Sequence, residues 1–464
     1  MTSLLDIVPG DSLGQFKLGT NLFTVINLLR TRSKEYTDVK VAWDDKASCT
    51  PTTSNVNLYL TKPPLTLTFE PKAQRLSRIE LAQSTLDSTT NEVTTTESDV
   101  RHWIRYKGTT FGDKHDKDRD DETTDVVKVV RTVMGPTYGN TETHEDSDSR
   151  KQSIRHEMLC YPGVAFGVTR QLLHKRRSEL SRVIVTPLPT PPDVPIEQAW
   201  LHPVLLEDTT LIEPVLRTAT IQLERSTGKP SHVELRFRNN VRQHQQGQVS
   251  PITIKLGETT TEDVMCDLGS PIRSFWKEDD RMSIHSRPSS IDPSLLPNAY
   301  FWSYPQHGLT FMFDPIQHFM IKMILHSNLP GQVGFVQTSI CPWILKFNNH
   351  DDHNHDDENE SNQSFTLQNN FKTISNFFLS NLNASDLMNE KNEIKFIESS
   401  DTSTKSLNVK DTSKSTRKER PMILDRTADG FNSGIKGRTT EIHGFPGIAF
   451  EVTTSGHVET VWLF

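Results

Sequence analysis

The chain repeats itself, and any fold it adopts must accommodate that repetition. Four segments align: PLTLTFEPKAQRLSRIEL (64–81), YPGVAFGV with LSRVIVT (161–186), YPQHGLTFMFDPIQHFMIKMILHS (304–327) and FPGIAFEVTTSGHVETVWLF (445–464). Leu65, Val164, Leu309 and Ile448 open each block. Leu67, Phe166, Phe311 and Phe450 follow two residues on, then Phe69, Val168, Phe313 and Val452. Spacing by two puts these side chains on one face of a strand. A polar turn and a second apolar run complete a β-hairpin in each block. Gly163, Gly308 and Gly447, each with a proline nearby, mark tight turns into three of the strands.

The preceding halves also match. FKLGTNLFTVINLLR (16–30) parallels ITIKLGETTTEDVMCDLGSP (252–271): a short strand, Lys-Leu-Gly, a polar cap and a helix. Thr20 or Asn21, and Thr259 or Thr260, are the N-cap candidates. DVVKVVRTVMGP (125–136) places Val126, Val130 and Val133 at helical spacing. Gly135-Pro136 and Gly269 to Pro271 supply helix stops. FKTISNFFLSN (371–381) is the weaker fourth helix. The expected fold class is α+β, with repeated small modules of a helix packed on an antiparallel hairpin or sheet and long disordered insertions between.

Boundaries follow from composition. Residues 1–83 form a first module and 101–187 a second, with an acidic insertion at 113–125. An inserted strand pair occupies 200–245. A third module spans 250–345, an acidic low-complexity loop 348–364, and a fourth module 365–464, interrupted by a polar stretch at 383–419. These polar stretches lack the apolar surface to offset ordering entropy. They also explain why apolar residues are only 34% of the chain. The formal net charge is −8. Residues 350–360 carry six acids without a Lys or Arg, and 113–125 carry seven acids against three bases. The acidity therefore sits in two insertions, and the rest is slightly positive. Such a balance argues against a dedicated nucleic-acid binder.

Chemistry is sparse. GxSxG, P-loop, GxGxxG, HExxH and paired Cys/His spacings are all missing. No catalytic, cofactor-binding or metal-binding residue is assigned, and an enzyme is not expected. His350, His353 and His355 lie among acids, but a polar loop explains them better than a metal site. Glu278, Asp279, Asp280 and His285 suit a hairpin turn better than acid–base work. The basic run at Lys414, Arg417, Lys418 and Arg420 reads as a solvated linker. Trp43, Trp103, Trp276, Trp302 and Trp343 fall in or beside strand-like segments; core placement is the expectation for each, with an interface anchor the alternative for some. Four widely spaced cysteines fit a reducing compartment. No signal-peptide pattern opens the chain, and no apolar run is long enough to span a bilayer. The remaining site candidate is the turn of the second block, where Lys175, Arg176 and Arg177 (beside His174) could contact an anionic lipid headgroup or an acidic partner.

Several blocks resemble the phagosome assembly factor family: LGTNLFTVINLLRTRSKEYTDVKVAWD, DLGSPIRSFWKEDDRMSIHS, YFWSYPQHGLTFMFDP, MILHSNLPGQVGF and GFPGIAFEV with VETVWL. The likeness runs in order along nearly the whole chain. Between 369 and 430 only RPMILDR (420–426) matches. This resemblance implies a non-enzymatic regulator or adaptor of autophagy. Its implied partner is a WD-repeat β-propeller protein that recognises phosphoinositides. Its implied location is the cytoplasm, with recruitment to the phagophore assembly site. A peripheral membrane or Golgi and vesicle-trafficking role through the basic turn is the alternative. The resemblance implies no cofactor and no catalytic residue.

Overall fold

In the computed structural model the residues described are 4–43, 52–82, 84–86, 93–95, 100–111, 126–137, 139–143, 154–171, 178–188, 215–224, 227–238, 251–276, 299–347, 364–381, 421–425 and 439–464. The chain divides into two units, Met1–Pro214 and Val215–Phe464.

In the first unit, β1 (Leu5–Val8), β2 (Ser12–Leu13) and β3 (Phe16–Lys17) lead into α1 (Leu22–Thr31). A meander follows: β4 (Lys40–Trp43), β5 (Val56–Leu60), β6 (Leu65–Phe69) and β7 (Leu76–Ala82). After the small ribbon β8 (Ser84–Leu86) and β9 (Val93–Thr95) come β10 (Ile104–Tyr106), β11 (Thr109–Thr110) and α2 (Val126–Met134). A second meander closes the unit: β12 (Gly139–Thr143), β13 (Ile154–Tyr161), β14 (Val164–Gln171) and β15 (Ser178–Val185). The two meanders join edge to edge through β7 and β15, giving an eight-stranded sheet ordered β12-β13-β14-β15-β7-β6-β5-β4. A five-stranded sheet, β11-β10-β1-β2-β3, holds β1 and β10 in parallel. There Asp6 and Arg105, side by side in register, form two hydrogen bonds of 2.6 Å.

The second unit follows the same plan. It opens with β16 (Val215–Leu223), β17 (Pro230–Arg238), β18 (Ile252–Ile254) and α3 (Thr261–Leu268). Then come β19 (Arg273–Trp276), β20 (Tyr300–Tyr304), β21 (Leu309–Phe313) and β22 (Met320–His326). It ends with β23 (Trp343–Phe347), β24 (Ser364–Thr366), α4 (Phe371–Asn381), β25 (Met422–Asp425), β26 (Thr439–Phe445), β27 (Ile448–Thr453) and β28 (Val458–Leu463). Its eight-stranded sheet runs β19-β20-β21-β22-β28-β27-β26-β25, joined at β22 and β28. Its five-stranded sheet, β18-β17-β16-β23-β24, again contains one parallel pair, β16 with β23.

The α+β expectation is overturned. Among the described residues strand makes up 50% and helix 16%, with four α-helices, and antiparallel pairing dominates the sheets. The physical reason is edge pairing. A four-stranded meander exposes unpaired N–H and C=O groups along both edges. Here one edge of each meander is satisfied by another meander rather than by a helix. The helices, eight to eleven residues long, cover only part of the resulting sheets.

Local chemistry sets the elements. Asn21 caps α1, accepting from the Thr24 N–H at 2.7 Å. Thr260 and Asp263 form a reciprocal capping box on α3. Tyr161 and Tyr304 each donate from the hydroxyl to a helix-end carbonyl, Gly135 O at 2.9 Å and Gly269 O at 2.7 Å. The hairpin strands β6, β14, β21 and β27 begin at Leu65, Val164, Leu309 and Ile448. Their opposing partners are Leu81, Val185, Leu325 and Leu463. All eight side chains are buried, each contributing about 1.5–3 kcal/mol of apolar transfer. Gly163, Gly308 and Gly447 all have positive φ. A Cβ on Gly163 would strike the backbone of Pro9 and Gly10, and one on Gly308 the backbone of Ser339 and Cys341. Only glycine suits such turns without strain.

Candidate functional site

Every one of the four hairpins carries a β-bulge at the same place. The extra residue is Ser77, Ser181, Ile321 or Glu459. Ser77 and Ser181 donate their hydroxyls to the opposing carbonyls of Thr68 and Gly167, at 3.1 and 3.0 Å. In the fourth hairpin the bulge re-aims a carboxylate, which is a recurrent use of this device. Glu459 joins Glu451 and Thr460, the two residues paired across the strands there.

These residues line a cavity of about 250 Å³. Its floor is the junction of β22 and β28, where Ile324 faces Trp462 and His326 faces Thr460 in register. Its wall is the segment after β22, contributing Asn328, Gly334, Gln337 and Thr338. That wall is held by backbone and side-chain bonds. Ser327 N–H donates to Glu459 O at 2.9 Å, and Val336 N–H donates to Asn328 Oδ1 at 2.7 Å. Trp343 Nε1–H donates to Ser327 Oγ at 3.1 Å. Glu451 is 1% exposed and Glu459 8%. Thr440 donates its hydroxyl to Glu451 Oε1 at 2.8 Å, and His326 Nε2 lies 3.2 Å from Thr310 Oγ1. Carboxylates in such surroundings suit acceptance of hydrogen bonds from a cationic or amide group.

The corresponding junction in the first unit is filled differently. Glu80, on β7, pairs with Arg78 and lies 3.6 Å from Arg182 Nη1. Gly167 opposes Arg182 in register, and a Cβ there would collide with the Arg182 side chain. Thus the first unit packs its own arginine stem at this junction, where the second has Thr460 opposite Glu451.

The buried groups with clearly shifted ionisation are not themselves among the residues that line the cavity. Burial lowers His307 to about 4 and raises Tyr304 to about 12. It also lowers His457 and raises the Cys341 thiol. Among the described residues, no three His, Cys, Asp or Glu side chains converge as a metal site. No described helix is long and apolar enough to cross a membrane.

Among the described strands, β19 and β25 end the second unit's large sheet. All four residues of β19 are exposed, and β25 exposes Met422 and Ile423. In contrast, edge strand β4 of the first unit buries Ala42. Helix α3 buries only Val264, whereas α1 buries Leu22, Phe23, Val25, Ile26 and Leu29.

A family model described as phagosome assembly factor 1 matches residues 12–464. The chain belongs to that family. A family protein of Caenorhabditis elegans is 33% identical over 90 residues, 19% of this chain and 21% of the relative. One of Arabidopsis thaliana is 32% identical over 84 residues, 18% of this chain and 20% of the relative. One of Drosophila melanogaster is 25% identical over 203 residues, 44% of this chain and 39% of the relative. These alignments therefore span from about a fifth to two fifths of the relatives' own lengths. No solved structure matches the chain. The phagosome assembly factor resemblance drawn from the sequence blocks is thereby established. The description is of an assembly factor and specifies no reaction.

Lys175, Arg176 and Arg177 lie outside the described residues, as do His174, the 350–360 histidine run, Glu278 to His285, and Lys414 to Arg420. Trp343 is buried, but Trp276 is 64% exposed. Core placement thus fails for Trp276, because the strand carrying it is a sheet edge. The cavity went unread in the sequence. Glu451 and Glu459 look there like solvent-facing positions of an alternating strand. A usable signal is their replacement of the residues that the other hairpins place there, Gly167 and Ser181 among them.

Proposed function

We propose that the chain is a non-enzymatic regulator or adaptor of autophagy. It acts in a complex with a phosphoinositide-recognising WD-repeat β-propeller protein at the phagophore assembly site. Its membrane association is indirect, through that partner. The reading is carried by one observation, the phagosome assembly factor 1 match over residues 12–464. Edge strands with exposed side chains suit an adaptor, because a sheet edge can bind another chain through main-chain hydrogen bonds.

The test is deletion of the chain followed by measurement of autophagic flux and of assembly-site formation. Loss of both, restored by re-expressing the full chain, is the expected result. Unchanged flux in the deleted cells refutes the reading.

A further inference from the structure

We propose that the cavity at the junction of β22 and β28 is a binding site for a guanidinium group on an alkyl stem, the chemistry of an arginine side chain. The inference concerns this cavity alone and stands or falls apart from the adaptor reading.

Two independent observations carry it. The first is the lining. Glu451 and Glu459, 1% and 8% exposed, border the space together with Thr460. Glu459 Oε1 faces the wall at Gly334, where a Cβ would lie 3.5 Å from it. The floor beside them is apolar, Ile324 in register with Trp462. Carboxylates accept from the planar fork of a guanidinium, an indole face takes its flat side, and an alkyl stem packs on the floor. Lys322 Nζ already sits 5.5 Å from the centre of the Trp462 ring, one row farther along the strands from the carboxylates. His326, also in the lining, has Nε2 3.2 Å from Thr310 Oγ1.

The second observation is the internal repeat. Superposing the register of β14 and β15 on that of β27 and β28 matches Gly167 to Glu451, Ser181 to Glu459 and Arg182 to Thr460. The same registers match Glu80 on β7 to Ile324 on β22. In the first unit the Arg182 stem lies across Gly167, and its Nη1 comes to 3.6 Å from Glu80 Oε1. One of the two equivalent junctions therefore holds a guanidinium beside a carboxylate. The second unit exchanges the parts. Thr460 stands in place of the arginine, and carboxylates stand in place of the glycine and the serine. A cavity of about 250 Å³ lies where the first unit packs its arginine stem. The junction thus offers acceptors and room to an arginine supplied from outside.

The probe is N-acetyl-arginine amide, titrated into the full chain and followed by the indole N–H signals of nitrogen-15 tryptophan-labelled protein. The Trp462 signal, assigned with Trp462→Phe, should shift with a Kd of about 0.1–1 mM, ordinary for a ligand of this size. N-acetyl-lysine amide, which has no planar fork, should bind about fivefold more weakly. Glu459→Gln keeps the shape, removes one charge and should weaken binding about tenfold. Thr460→Arg gives the second unit the first unit's residue and should abolish binding with the far-UV circular dichroism unchanged. The proposal falls if the arginine compound leaves the Trp462 signal in place, or if the lysine compound binds equally. It also falls if Glu459→Gln binds like the wild type, or if folded Thr460→Arg still binds. Where Thr460→Arg does not fold, Glu459→Gln decides. Further arms separate the sources of the group. Tighter binding of the peptide Gly-Arg-Gly than of free arginine assigns it to a protein chain, and the reverse order to a small molecule. Self-association of the wild type in sedimentation, lost in Glu459→Gln, assigns it to a second copy.

Discussion

Replacing Gly308 by alanine tests how the hairpin turns seat against their neighbours. Gly308 has φ of 67°, and the space a Cβ would need is occupied by the backbone of Ser339 and Cys341. Those residues lead directly into β23, and Cys341 N–H is bonded to His326 O at 2.8 Å. Two costs therefore combine. Placing an L-residue in the left-handed region costs about 1–2 kcal/mol. Forcing extra volume into a packed site adds about 1–3 kcal/mol. Gly257 is the control within the same unit: its φ is 77°, and nothing lies within 4 Å of the position its Cβ would take. Gly257→Ala should lose only the conformational part, about 1–2 kcal/mol, and Gly308→Ala about 2–5 kcal/mol. Urea unfolding followed by tryptophan fluorescence reads both, since Trp343 is buried just beyond the segment that must move. If Gly308→Ala unfolds at the same urea concentration as Gly257→Ala, the steric reasoning is wrong.

Other outcomes follow from the same geometry. Tyr304→Phe and Tyr161→Phe should each destabilise by about 0.5–1.5 kcal/mol, the net worth of a hydrogen bond, measured by the same unfolding curves. Thr260→Ala should cost about 1 kcal/mol by removing the capping box, seen as faster amide exchange in the first turn of α3. Stability should fall as the pH drops from about 6.5 toward 4. The unfolded His307 protonates near 6.5, while the folded one stays neutral to about 4. Its contribution is thus complete above about 6.5 and declines by about 3 kcal/mol across that window. His457, also lowered, acts in the same direction. His307→Gln should flatten the pH dependence of the urea midpoint. Native iodoacetamide treatment should label exposed Cys266 and spare buried Cys160 and Cys341 until the chain is unfolded.

Much of the local structure was legible because its causes are local. Period-two spacing at Leu65, Val164, Leu309 and Ile448 marks strands that start at those residues. Asn21 and Thr260 mark helix starts, and FKTISNFFLSN is a helix along its whole length. What stayed hidden depends on distant pairing. Nothing near Ile79 announces that it will face Val185, or near Leu5 that it will face Ile104. Without those pairings, each helix looks like an equal partner of a small sheet, and the fold reads as α+β. The cavity was hidden for a related reason. It needs the β22–β28 junction, a bulge at Glu459 and a returning segment at 328–338, none of which is a sequence motif. Trp276 was misjudged because an aromatic strand residue gives no sign of whether its strand lies at the centre or the edge of a sheet.

Purification of the full chain from cells under autophagy-inducing conditions, with quantitative mass spectrometry of what accompanies it, bears most directly on the adaptor role. Recovery of a WD-repeat β-propeller protein in near-equal amount is the predicted result. Recovery of the chain alone, without any propeller protein, would contradict it.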